Sequence, residues 1–111
     1  MDTTELLYAG AAEQARRVAA REVSARELVE GCLGRIERLN PVLNAFRVVL
    51  ADEALAAADA ADAAVADGSA GPLAGVPVAI KDDAELAGQI TTPRHGGHGQ
   101  RAGPWPPCRG W

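Results

Sequence analysis

The chain has 111 residues, a formal net charge of −4 and a hydrophobic fraction of 48%, in which alanine supplies 24 residues. A chain this short has room for one small domain and buries only about 60–65% of its unfolded surface. The acidic balance argues against nucleic acid as a direct partner, since phosphate neutralisation needs a basic surface. No apolar run reaches the roughly 18 residues of a membrane span. The N-terminus also lacks a basic region followed by an apolar stretch, so a cytoplasmic chain without a membrane partner is expected.

Thr3 or Thr4 is suited to cap a first helix running to about Ala20, with Leu6, Leu7, Ala11, Gln14, Ala15 and Val18 near one stripe. Arg21-Glu22-Val23 breaks that pattern. Ser24-Ala25-Arg26-Glu27 then reads as a capping box, with Val23 and Leu28 in the flanking staple positions. The helix it opens places Leu28, Cys32, Leu33, Ile36 and Leu39 on one face. Asn40-Pro41 should stop it, because proline disfavours helix in the residue before it.

Leu43 to Leu50 is rich in β-branched and apolar residues and predicts a short strand anchored by Phe46. Asp52 is placed to cap an alanine-rich helix over residues 53–67, with a thin buried face around Leu55, Ala58 and Val65. Its repeated Ala-Ala-Asp units read as helix composition. Gly68-Ser69-Ala70-Gly71-Pro72 ends it, and Val76 to Ile80 predicts a strand buried on both faces, with Pro77 at its start or edge.

Lys81 follows that strand directly. Alone, a lysine at such a point is a solvated strand-end charge. If the strand is buried, desolvation lowers the lysine pKa, and the neutral amine can take a proton from a serine nucleophile. Asp82 and Asp83 would oppose that shift, so they must point away from the ammonium.

Leu73-Ala74-Gly75-Val76-Pro77-Val78-Ala79-Ile80-Lys81-Asp82-Asp83, followed by Ala87-Gly88 and Thr91-Thr92, resembles the first catalytic segment of the amidase signature family. Upstream, Ser24 to Val29, Arg35-Ile36-Glu37 and Asn40 to Phe46 resemble the family's N-terminal helices and the turn into its first strand. Gly71-Pro72-Leu73 fits as well. The family includes general amidases and the amidase subunit of the glutamyl-tRNA(Gln) amidotransferase. The resemblance covers about residues 5–92.

What the resemblance implies is an α/β fold, with N-terminal helices and the first strands of a mixed β-sheet. It also implies hydrolysis of a carboxamide C–N bond in a small-molecule amide. In the family the lysine matching Lys81 is the base of a Ser–cis-Ser–Lys triad, working without metal or cofactor. A Gly-Gly-Ser-Ser-Gly-Gly-Ser-type loop supplies both serines and the oxyanion amides, and that loop is absent here. The only serines are Ser24, a helix cap, and Ser69, in a Gly/Pro loop. The expectation is an incomplete amidase domain over residues 1–92, inactive alone.

Residues 93–111 differ in kind: they hold three arginines, no acid and nine glycines and prolines among nineteen residues. Such a tail builds no core and is expected to be disordered. His95, His98 and Cys108 lack the paired spacing of a zinc motif, and Cys32 with Cys108 is no disulfide framework. A shifted reading frame explains the tail better. Dropping one C from the Pro93 codon permits Arg-Gly-Thr-Ala-Ala-Met-Gly-Ser, which continues Thr91-Thr92 in a manner similar to amidases. Two alternatives stay open: a parent of the amidotransferase type, with its partner subunits, and a small helical interaction module in which Lys81 is incidental.

Overall fold

The computed structural model describes residues 2–82 together with Ala84 and Leu86. The chain divides into two units, Met1–Pro77 and Val78–Trp111. The first is built from α1 (Thr3–Leu7), α2 (Ala11–Ala19), α3 (Ala25–Leu43) and α4 (Ala51–Asp67). The tail from Pro93 onward, with His95, His98 and Cys108, lies outside the described residues, as does Asp83.

The single helix expected from Thr3 to Ala20 is two helices. Gly10, at φ 84°, takes a conformation that other residues avoid and turns the chain between them. At the end of α1 the Leu6 carbonyl accepts from the Ala9 amide at 3.1 Å, and the buried Gln14 side-chain amide adds a donor to Leu6 (3.1 Å) and Leu7 (3.4 Å). Asp2, not a threonine, occupies the N-cap of α1, and its side chain makes no capping bond. The break at Arg21 stands as expected. Its amide bonds to the Val18 carbonyl and that of Glu22 to Arg17, the paired bonds of a Schellman end, with Arg21 itself at φ 57°.

Ser24 and Glu27 form the expected capping box. The Ser24 hydroxyl accepts from the Glu27 amide at 3.0 Å, and the Glu27 carboxylate accepts from the Ser24 amide at 2.8 Å. Two small clusters make the core. Leu6, Val18 and Leu28 join α1, α2 and α3, with Val23 and Val65 against them; Ala25, Val29 and Ala58 join α3 to α4, with Leu33 and Leu55 alongside. Burial therefore concentrates in the first half of α3. Its expected apolar face fades from fully buried Leu28 to exposed Leu39.

Asn40-Pro41 does not stop α3, which runs on to Leu43. Pro41 lies in the last turn, so its missing N–H costs one backbone bond, to the Glu37 carbonyl, and only two more residues follow it in the helix. Asn40 also gains a partner there. Its side-chain amide donates to the Phe46 carbonyl at 2.9 Å and accepts from the Phe46 amide at 2.8 Å. Asn44, in the left-handed region at φ 48°, ends the helix.

That same pair of bonds bears on the expected strand. Leu43 belongs to α3, and the rest of Leu43–Leu50 is irregular, since Asn40 occupies both backbone groups of its anchor residue. Val76–Ile80 forms no ladder either. Val78 is 74% exposed and Ile80 49% exposed, the opposite of a strand buried on two faces. Among the described residues the fold is helical, and no strand of the α/β sheet is present. A strand exists only through its neighbour's hydrogen bonds, and neither segment has a neighbour among these residues.

α4 starts at Ala51, with Leu50 rather than Asp52 at the N-cap; Asp52 instead lies in the first turn, where its charge favours the helix dipole. The helix ends at Gly68, as expected. Arg21 donates to the carbonyls of Val65 (3.5 Å) and Ala66 (3.0 Å) near that end, placing a cation where the dipole is negative.

Candidate functional site

The segment leading to Lys81 begins in the loop after α4. Two short backbone bonds shape it, from the Ala74 amide to Gly71 at 3.2 Å and from the Val76 amide to Leu73 at 3.3 Å. Gly75 lies between these at φ 82°. Beyond Pro77 the second unit carries Lys81, whose carbonyl accepts from the Ala84 amide at 2.9 Å in a tight turn. The Lys81 and Asp82 side chains are both exposed. The polar turn expected at Lys81 is present, without the burial expected of the residues before it.

Both serines are committed to helix ends. Ser24 is held in the capping box. The Ser69 hydroxyl and amide both donate to the Asp67 carboxylate, and these bonds hold the Asp67 carboxyl below its ordinary range, the hydroxyl acting most strongly. A serine whose hydroxyl donates to a carboxylate at a loop is a structural group. The Ser24 hydroxyl is engaged as an acceptor for the Glu27 amide, and the carboxyl beside Ser69 is held below its ordinary range, which weakens it as a base.

Cys32 is half-buried on α3. Burial pushes its thiol up, against a smaller lowering by Arg35, so at neutral pH it remains a poor nucleophile. Among the described residues no group of three His, Cys, Asp or Glu side chains is placed to hold a metal ion. No described helix is long and apolar enough to cross a membrane. An open cleft of about 580 Å³ lies beside the second half of α3, lined by Leu33, Ile36, Glu37, Asn40, Pro41 and Val49 among others. Of its polar lining groups, the Asn40 amide is already taken by Phe46, which leaves Glu37 and Asn44.

The carboxylates of α4 were the signal the composition concealed. Asp62 accepts from the amides of Ala25 (2.7 Å) and Arg26 (3.1 Å), and Asp59 takes the Arg26 guanidinium at 2.8 and 2.9 Å. Aspartates three apart on an alanine helix share one face, and that spacing could have marked them as a clamp.

The chain belongs to the amidase family, whose Amidase profile matches residues 27–93, a stretch that contains Lys81. "Putative amidase AmiB2" of Mycobacterium bovis is 50% identical over 102 residues, covering 92% of this chain and 22% of that protein. A glutamyl-tRNA(Gln) amidotransferase subunit of Thiobacillus denitrificans is 51% identical over 78 residues, covering 70% of this chain and 16% of that protein. The same subunit of Alkalilimnicola ehrlichii is 54% identical over 71 residues, 64% of this chain and 15% of that one. The chain thus spans about a fifth or less of the length of these relatives. No solved structure matches it.

Proposed function

We propose that residues 1–92 are the N-terminal part of a cytoplasmic amidase that hydrolyses the C–N bond of a small-molecule carboxamide, and that Lys81 is its base. The observation that carries this reading is the position of Lys81 inside the matched stretch, in the segment Gly75 to Asp83. In the parent, the neutral Lys81 amine takes the proton of a nucleophilic serine through a second serine. The serine oxygen attacks the amide carbon, the amine leaves with a proton, and water releases the acid from the acyl-enzyme. The Ser-rich loop supplies the nucleophile, the relay and the oxyanion amides.

The 111 residues contain only Ser24 and Ser69, both engaged at helix ends, so this chain alone is expected to be inactive on amides. The test needs a protein in which residues 1–92 lead into the Ser-rich loop. There, Lys81→Ala should slow acylation by about 10²–10⁴-fold, the usual range for a lost general base. Unchanged acylation would overturn the assignment.

The composition of residues 93–111 supports a shift of reading frame near the Pro93 codon, and the family match ends at residue 93. Against it stands the AmiB2 alignment, which at 92% of the chain runs past that point. Genomic sequence across the Pro93 codon decides: an amidase frame one base away supports the shift, and an intact frame without one refutes it. The relatives named as amidotransferase subunits favour a second reading, a parent that works with amidotransferase partner subunits on a tRNA-bound acyl group. A neighbouring gene for the tRNA-binding subunit would favour it over a free-standing amidase.

A further inference from the structure

Gly75 makes the closest backbone approach of any glycine in the helical unit. A Cβ built there would lie 2.8 Å from the Ala25 Cβ and 2.9 Å from the Val18 Cγ1, with the Ala25 Cα at 3.5 Å. These neighbours are not flexible ends that could swing aside. Val18 is 1% exposed in the cluster with Leu6 and Leu28. Ala25 is fully buried at the first position of α3, its amide held by Asp62 and its neighbours fixed by the capping box. Gly75 also sits at φ 82°, where a side chain adds backbone strain to the collision. Gly71, four residues earlier, differs on both counts: a Cβ added there would meet nothing within 4 Å, and its φ is ordinary.

From these contacts we infer that Gly75 is a positioning residue for Lys81: it seats the stretch that leads to the lysine against the α2–α3 junction, where no side chain fits. This rests on the reading of Lys81 as the base. Lys81 lies six positions further along the chain. Downstream of the seat, Val78 and Ile80 are exposed and no ladder holds the stretch among the described residues. The seat at Gly75 is thus one restraint on the chain that runs on to the lysine.

The first test uses the 111-residue chain and amide hydrogen exchange over residues 72–81. Gly75→Ala should speed exchange of the Ala74 and Val76 amides by about tenfold or more, as expected when a local opening becomes easier. Gly75→Asn, which tolerates positive φ but carries a side chain, should do the same, and Gly71→Ala should change nothing. Adding Ala25→Gly to Gly75→Ala removes the nearest colliding atom and should restore part of the protection. Wild-type exchange in Gly75→Ala overturns the seat. If that variant melts the helices, recovery of helix signal on adding Ala25→Gly supports the seat, and no recovery overturns it.

The second test reads turnover in the protein carrying the Ser-rich loop. Gly75→Ala should lower kcat by about tenfold or more at an unchanged KM, because it displaces the base and not the substrate. Full kcat in Gly75→Ala beside a dead Lys81→Ala overturns the positioning role. Full kcat in Lys81→Ala overturns the base reading itself, a result on which the exchange experiment does not depend.

Discussion

The Asp62 carboxylate, on α4, accepts the backbone N–H of Ala25 at 2.7 Å, so that one helix caps another. Its second oxygen takes the Arg26 amide at 3.1 Å, and the capping box serves Ser24 and Glu27. Every amide from Ser24 to Glu27 thus has a side-chain acceptor, in a unit whose two hydrophobic clusters are small. Replacing Asp62 by Ala should cost about 1–2 kcal/mol, the upper range for a lost N-terminal cap. Asp62→Asn should be nearly as damaging, since one carboxylate oxygen becomes an NH₂ facing an N–H donor. Urea denaturation of the three proteins checks this; an Asn variant as stable as wild type would show that one acceptor suffices.

Ser24→Ala is a milder change. Asp62 still serves Ala25 and Arg26, so the Glu27 amide alone loses its acceptor, and about 1 kcal/mol of stability should go. In a protein that also carries the Ser-rich loop, turnover should be unaffected. A large fall in turnover at unchanged stability would mean that Ser24 takes part in the chemistry and is more than a helix cap.

Much of this was legible in the sequence. The Ser24/Glu27 box, the apolar start of α3, the Gly68 end and the family itself all followed from local pattern. What pattern could not give were the long-range partners. Asp59 and Asp62 looked like composition because their role depends on where α4 meets α3, and Asp62 lies 36 and 37 residues along the chain from the amides it caps. Pro41 misled because its effect depends on position, and it falls in the last turn, where a helix loses little. The strand readings rested on β-branched and apolar residues such as Val48 and Val49 in the first segment and on the apolar run Val76 to Ile80 in the second. Such residues favour a strand only when a neighbouring strand takes up their backbone groups.

The cluster of Glu13 with Arg16 and Arg17 gives a pH dependence of known sign. Hydrogen bonds from Arg16 and then Arg17 hold the Glu13 carboxyl down, from an ordinary 4.5 to about 2. A carboxyl depressed on folding stabilises the native state above its unfolded pKa, and that contribution is lost as pH falls through the folded value. The window therefore runs from about pH 4.5 down to about pH 2. Because the group is partly open to solvent the effect should be small and weakened by salt. Urea midpoints of wild type and Glu13→Gln should converge on acidification through that window; parallel curves would show that the pair contributes nothing.

Lys81→Arg separates two roles that Lys81→Ala cannot. If the residue merely supplies positive charge to the site, arginine should replace it with little loss of turnover. If it accepts the serine proton, arginine must fail, because guanidinium stays protonated and offers no lone pair. In the protein carrying the Ser-rich loop, Lys81→Arg should therefore lose acylation almost as fully as Lys81→Ala, by about 10²-fold or more. Substrate affinity should change little in either variant, since the lysine acts on the nucleophile and not on the substrate's side chain. Single-turnover acylation at saturating amide measures the step directly. Near-normal rates with arginine at this position would leave charge as the only role, and the base assignment would have to be abandoned.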